Sequence, residues 1–275
     1  MQNGYFYIKR PSVCIYTSPD VKSGVADELL YGTKIRLISE KTKENFYRCE
    51  TDYGYSGYIR EKDVSKEYFP DALFCYAVCS CACDVLPNPE YKNRPLATLP
   101  KGSLIPSNRK KTDFDRFLPV IFGKSRCYVP SSCVREYTVH GSFDGKIKNK
   151  SAFRKRICDD ALSYVGTPYR WGGKSSFGID CSGLCFMAYF LNGITVFRDS
   201  FPDSRYVSEI KRSELLPADL IYFKGHMGLY IGDGEFVHAS ASAGYVTVSS
   251  LEKGSIIYNK KLASFVSCFA RSVLL

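Results

Sequence analysis

The feature that most constrains this chain is a repeat in its first half. Gly32 precedes Thr33-Lys34-Ile35-Arg36-Leu37, and Phe46-Tyr47-Arg48-Cys49, Gly57-Tyr58-Ile59 and Asp63-Val64 follow. The same order returns as Gly102-Ser103-Leu104-Ile105, Phe117-Leu118-Pro119-Val120, Cys127-Tyr128-Val129 and Cys133-Val134. Gly32 and Val64 lie 32 residues apart, as do Gly102 and Val134. Apolar runs this short, divided by Gly, Pro, Asn and Lys, predict strands and turns. A repeated set of short strands predicts two small β-barrels, near residues 1–67 and 68–138. The 21 tyrosines and 18 phenylalanines suit strands.

From about residue 150 the pattern changes. Ile157, Ala161, Leu162 and Tyr164 recur at helical spacing. A second helical run starts at Asp180 and passes Leu184, Phe186, Met187 and Phe190 to a stop at Asn192-Gly193. Strands follow over 219–223, 227–231, 234–238 and 244–248, with Gly232-Asp233-Gly234 as a hairpin turn. Helices followed by strands predict an α+β domain over 139–275, behind the two all-β domains.

The formal net charge is +10. The densest basic runs, Arg109-Lys110-Lys111 and Arg154-Lys155-Arg156, are short and predict a solvated surface, so no nucleic-acid partner is expected. No window approaches the roughly 18 apolar residues of a membrane span. Residues 1–5 lack the basic-then-apolar pattern of a signal peptide, which predicts a cytoplasmic monomer, or a secreted one if a leader has been removed. Twelve cysteines are many, yet most fall in apolar runs and read as small buried hydrophobes. Cys79, Cys81 and Cys83 alternate, which on a strand puts them on one face. Zinc ligands are usually spaced more widely, so no metal and no cofactor is expected.

Cys181 falls at the predicted start of a helix. The partial positive charge and free N–H groups there stabilise a thiolate. The chain has three histidines. Two of them, His226 and His238, lie on strands joined by the Gly232–Gly234 turn, which would bring their imidazoles together. One could take the thiol proton while the other orients it.

Four motifs surround these residues: Gly166-Thr167-Pro168-Tyr169-Arg170-Trp171-Gly172-Gly173, Asp180-Cys181-Ser182-Gly183-Leu184, His226-Met227-Gly228-Leu229-Tyr230-Ile231-Gly232 and His238-Ala239-Ser240. In this order they resemble the NlpC family of papain-like cysteine peptidases over roughly 150–270. "LYGTKIRL" and "YGYSGYIREKDV", and more weakly "LPKGSLI" and "SRCYVPSSCV", resemble bacterial SH3 domains. Together they resemble the dipeptidyl-peptidase VI group, γ-D-glutamyl-L-diamino-acid endopeptidases that cut murein peptides with a free N-terminal L-alanine.

The resemblance implies that Cys181 is the nucleophile, His226 the base and His238 the orienter. It implies that the Tyr169 hydroxyl helps the oxyanion and the substrate, and that Asp180 and Ser182 hold the substrate, Asp180 at its amine. Asp199 and Ser200 would reach the ligand, and Tyr55 would be contributed by the first SH3-like domain. Plainer roles stand beside these: helix capping for Asp180 and Ser182, and packing for Tyr169, Trp171 and Tyr55. Two other functions fit the chain, a hydrolase or amidase acting on intact peptidoglycan, and a wall-binding module whose catalytic domain is inactive.

Overall fold

The structure is a computed structural model describing residues 4–66, 72–139 and 147–275. His140 and the expected boundary at 67–68 lie outside the described residues. The chain divides into two compact units: Met1–Thr138 with Lys174–Ser176, and Val139–Gly173 with Phe177–Leu275.

The first unit contains β1 (Tyr5–Ile8), β2 (Ser12–Tyr16), β3 (Val25–Leu30), β4 (Lys34–Leu37), β5 (Phe46–Thr51), β6 (Ser56–Arg60) and β7 (Val64–Ser65). These form one sheet in the order β3-β2-β6-β5-β4-β1-β7. Then come β8 (Phe74–Val78), β9 (Ala82–Val85), β10 (Ala97–Pro100), β11 (Leu104–Ser107), β12 (Phe117–Phe122), β13 (Ser125–Pro130), β14 (Val134–Glu136) and the short β15 (Lys174–Ser175).

The repeat is visible in the pairing. β1 pairs with β4 and β7, and β8 pairs with β11 and β14, all antiparallel. β2 pairs with β3 as β9 does with β10, and β5 with β6 as β12 does with β13. Gly32 donates its N–H to the Ile8 carbonyl at 2.9 Å, and Gly102 donates to the Val78 carbonyl at 2.9 Å. Their φ values of 79° and 92° lie where a side chain is strained, which explains glycine at both places.

Tyr31 links the two strand sets. It directly follows β3, yet it is buried in the core of the second set with Val78, Leu99, Ile105, Leu118 and Val129. Its ring stacks on Phe122 with centroids 4.9 Å apart, and its hydroxyl accepts the Gly123 N–H at 3.3 Å. The same unit buries Lys174, whose Nζ lies 2.7 Å from Asp27 Oδ2 and 2.5 Å from Tyr53 Oη. Glu28 accepts the Lys174 backbone N–H at 2.6 Å. A buried ammonium needs such a partner.

Cys79, Cys81 and Cys83 do not share a strand, contrary to expectation. The chain turns over 79–81, between β8 and β9, and only Cys83 is in a strand. Among the described residues no group of three or more His, Cys, Asp or Glu is placed to hold a metal ion.

The second unit contains α1 (Lys150–Leu162), β16 (Gly178–Ile179), α2 (Cys181–Phe190), β17 (Val207–Ile210), β18 (Leu220–Phe223), β19 (His226–Gly232), β20 (Glu235–Ser240), β21 (Tyr245–Ser250), α3 (Lys260–Ser264) and β22 (Val266–Ser272). An antiparallel sheet runs β17-β22-β18-β19-β20-β21. Leu184, Cys185, Ala188 and Tyr189 of α2, and Met227, Leu229, Val237 and Ala239 of the sheet, are almost wholly buried. Ile221, Phe223, Phe236 and Leu251 form a further apolar cluster with Leu262, Val266 and Phe269. Asp219, fully buried, accepts from Arg154 of α1 at 2.8 Å and from Arg271 of β22 at 2.8 and 3.0 Å. Gly193, at φ 72°, follows α2 as the expected stop.

Candidate active site

Asp180 starts α2 by accepting the Gly183 N–H at 2.7 Å, as an N-cap residue does. Its other oxygen accepts the Gly172 N–H at 2.8 Å. Arg198 closes on both oxygens, at 2.8 Å to Oδ1 and 3.1 Å to Oδ2, and donates to Ser182 Oγ at 2.6 Å. Arg198, Asp180 and Ser182 are all buried. This is a bidentate, charge-assisted pair held out of water. Gly183 leaves room for it, because a Cβ there would lie 2.3 Å from the Gly173 carbonyl and 2.9 Å from Asp180 Oδ1.

Both Asp180 oxygens are thus engaged within the domain, Arg198 balances the charge, and Asp180 holds the start of the helix that carries Cys181.

The two histidines are brought together by the β19–β20 hairpin. Asp233 and Gly234 both take positive φ, 51° and 77°, the geometry of a two-residue hairpin loop. Leu229 faces Val237 across the ladder, so His226 and His238 come diagonally opposite, within side-chain reach. His226 Nε2 lies 2.8 Å from His238 Nδ1, and His238 Nε2 lies 3.1 Å from Ser249 Oγ on β21. Gly228 makes room for this ladder, since a Cβ there would meet Phe236 at 2.8 Å and His238 Cβ at 3.3 Å. Ser249 carries no signature in the sequence, because one serine in a strand looks like any other.

Cys181 is buried as the first residue of α2. The backbone N–H groups of Ser182, and of Met227 next to His226, favour its ionised form. Burial, then the Asp180 charge, push the thiol up to about 11, while the two N–H groups and Arg198 act the other way. Helix-terminus stabilisation of a thiolate, expected from the sequence, is outweighed by burial. Burial lowers His226 to about 4, and burial with the neighbouring His226 lowers His238 to about 3. At neutral pH the thiol and both imidazoles are therefore uncharged.

Tyr169 is half-buried near this group, and its hydroxyl is raised to about 12 by burial, then by Cys181 and Asp180. It stays protonated and able to donate. Asp199 and Ser200 follow Arg198, and the Asp199 carboxylate accepts the Ser200 N–H at 2.8 Å. Tyr55 belongs to the first unit, in the turn between β5 and β6, where its backbone N–H donates to Thr51 Oγ1 at 3.0 Å. Cys185 is fully buried and packs in the helix core.

The lowered histidines give stability a sign with pH. In the unfolded chain each takes up a proton near pH 6.5, while the folded pair resists protonation down to about 4 and 3. Between these limits the unfolded state binds more protons, so stability is complete above about pH 6.5 and falls with acid. The thermal midpoint should drop between pH 6.5 and pH 4.5, and His238→Gln should flatten that dependence. Calorimetry at several pH values checks it, and a variant with the wild-type slope would refute the assignment.

A buried helix-terminal cysteine beside a paired-histidine ladder on an antiparallel sheet defines a cysteine peptidase. The sequence pattern of the NlpC/P60 family matches residues 166–265. The chain is 34% identical over 267 residues to dipeptidyl-peptidase 6 of Lysinibacillus sphaericus, covering 92% of this chain and 94% of that one. It is 28% identical over 182 residues to the γ-D-glutamyl-L-lysine dipeptidyl-peptidase of Bacillus subtilis strain 168, covering 62% and 61% of the two chains. A crystal structure of an NlpC/P60 family protein from Bacillus cereus superposes with a TM-score of 0.78 at 19% identity, over 98% of this chain and 99% of that one, and shares the fold. The chain belongs to the NlpC/P60 family. No described helix is long and apolar enough to cross a membrane.

Proposed function

We propose that this peptidase hydrolyses the γ-D-glutamyl–diamino acid bond of murein peptides that begin with a free L-alanine. The observation that carries the chemistry is the His226–His238–Ser249 ladder beside the start of α2. Its protons have one arrangement suited to a base. His238 Nε2–H donates to Ser249, and His226 Nε2–H donates to His238 Nδ1. His226 Nδ1 then keeps a lone pair for the Cys181 proton. In this reading the Cys181 sulfur attacks the γ-carbonyl carbon as its proton passes to His226. The Tyr169 hydroxyl donates to the developing oxyanion. The imidazolium returns its proton to the departing α-amine, leaving a thioester on Cys181. Water, deprotonated by His226, then releases the acid and restores the thiol.

The names of the similar peptidases from Lysinibacillus and Bacillus support the substrate class. We assign substrate contacts to Tyr169, Asp180, Ser182, Asp199 and Ser200, with Asp180 at the free amine, and to Tyr55 of the first unit. We read the two strand sets of that unit as SH3-like domains, a reading with which their short antiparallel strands agree. The net charge of +10 favours a second reading, an enzyme drawn to the anionic intact wall.

Incubation with L-alanyl-γ-D-glutamyl-diaminopimelate, its lysine counterpart, the N-acetylated peptides and intact sacculi separates the two. The proposal expects release of L-alanyl-D-glutamate from the free tripeptides, with kcat/KM reduced at least 100-fold by acetylation, since a site built for a charged amine rejects a ligand lacking it. Equal cleavage of acetylated peptide, or rapid solubilisation of sacculi, would establish the wall-acting reading instead.

A further inference from the structure

Three residues of the stretch that leads to Cys181 belong to the first unit. Lys174–Ser176 fall in that unit, while Gly173 before them and Phe177 after them fall in the second. What holds them is specific. Glu28, on β3 and 3% exposed, accepts the Lys174 backbone N–H at 2.6 Å through Oε2. Its Oε1 accepts the Ser175 hydroxyl at 3.1 Å and the hydroxyl of Ser12 on β2. The Lys174 ammonium goes to Asp27 instead. Glu28 is a buried carboxylate satisfied by hydrogen-bond donors, and one of those donors is main chain.

The peptide group that Glu28 grips also touches the start of α2. Its N–H is that of Lys174, and its carbonyl is that of Gly173. In a trans peptide the two point in opposite directions from one rigid plane. The Gly173 carbonyl accepts the Asp180 N–H at 3.2 Å and an Arg198 N–H at 3.3 Å. The first turn of α2 packs on the same oxygen, where a Cβ at Gly183 would lie 2.3 Å away. Glu28 therefore holds one edge of a plane whose other edge seats the N-cap Asp180 and its partner Arg198. A tilt of that plane moves the start of the helix whose first residue is Cys181.

We propose that Glu28 is a positioning residue of the peptidase: by fixing the Gly173–Lys174 peptide it sets the start of α2 and so the placement of the Cys181 sulfur. The inference rests on Cys181 being the nucleophile. Glu28 acts through the main chain, so what matters is an acceptor oxygen at the right reach, and the negative charge is secondary. Misplacing a reacting group by about 1 Å can cost about 100-fold in rate. The catalytic rate should thus depend on a strand of the first unit that carries no chemistry of its own.

Two substitutions in the full chain separate reach from charge. Glu28→Gln keeps the length and an oxygen for the Lys174 N–H, and its amide can donate to the serine hydroxyls, which accept as well as donate. Glu28→Asp keeps the charge but draws the carboxylate back by one methylene. The first variant should hold kcat within about threefold of wild type, and the second should lower it about tenfold or more, with KM within about threefold in both. Circular dichroism gives the folded fraction, and rates on the free tripeptide are taken per folded molecule. A purely structural role would lower the thermal midpoint and leave that rate unchanged. Wild-type kcat in Glu28→Asp, or a Glu28→Gln enzyme equally slow, would overturn the proposal. So would a Glu28→Asp chain that does not fold, because Glu28 would then serve folding alone. Cys181→Ala, measured alongside, keeps the two readings apart. Activity in that variant would remove the nucleophile assignment, whereas an inactive Cys181→Ala beside an unimpaired Glu28→Asp would sink this inference alone.

Discussion

Replacing Cys181 with alanine is expected to lower the rate of peptide hydrolysis by about 10⁴-fold or more. The imidazole ladder has no nucleophile of its own to offer, and a water in place of the sulfur would lack its position at the start of α2. Cys181→Ser should be nearly as inactive, because a hydroxyl is far harder to ionise than a thiol and His226 is a weak base, lowered to about 4. The fold should survive both changes, since α2 is capped by Asp180 and packs through Leu184, Cys185, Ala188 and Tyr189. Steady-state rates on the free tripeptide and circular dichroism check this together. Activity near wild type in a folded variant would remove Cys181 from the mechanism.

The second large effect is expected at Arg198. Arg198→Met would leave the Asp180 carboxylate buried without a counter-charge, a change that costs about 3–5 kcal/mol. The same carboxylate raises the Cys181 thiol and Arg198 opposes it, so the single variant should also make Cys181 harder to ionise. Removing both charges with Asp180→Asn and Arg198→Met should recover much of the stability and return the thiol toward its starting acidity. Arg198 is then a positioning residue, acting on the nucleophile through Asp180. Denaturant unfolding gives the first readout, and the pH dependence of alkylation at Cys181 the second. A double variant no better than the single one would show that packing, and not charge, is what Arg198 contributes.

Much of this site was legible in the sequence, for definite reasons. Cys181 stands behind Asp180, a strong N-cap type, and the Asp233-Gly234 turn imposes a hairpin register that brings two distant histidines together. Ser249 and the clasp of Arg198 on Asp180 were hidden, because both depend on contacts between elements with no local pattern. The Cys79–Cys83 run was misread because strict alternation describes a strand only if the backbone stays extended, and here it turns. The thiolate expected at the helix start failed for an energetic reason: burial opposes the charged form more strongly than the N–H groups favour it. The repeat of the first unit was open to reading because its glycines and strand-ending turns recur with unchanged spacing.

Tyr31 gives that repeat an evolutionary consequence. Tandem copies are often cassettes, gained, lost or exchanged between genes because each keeps its own interior. Here the first copy lends a side chain to the interior of the second, through the stack on Phe122 and the bond from Gly123. Loss of the second copy would strand an exposed tyrosine on the first. Loss of the first would open a ring-sized hole in the core around Leu118 and Val129. The two copies therefore share one stretch of interior, and a cut between them would expose apolar surface on both sides.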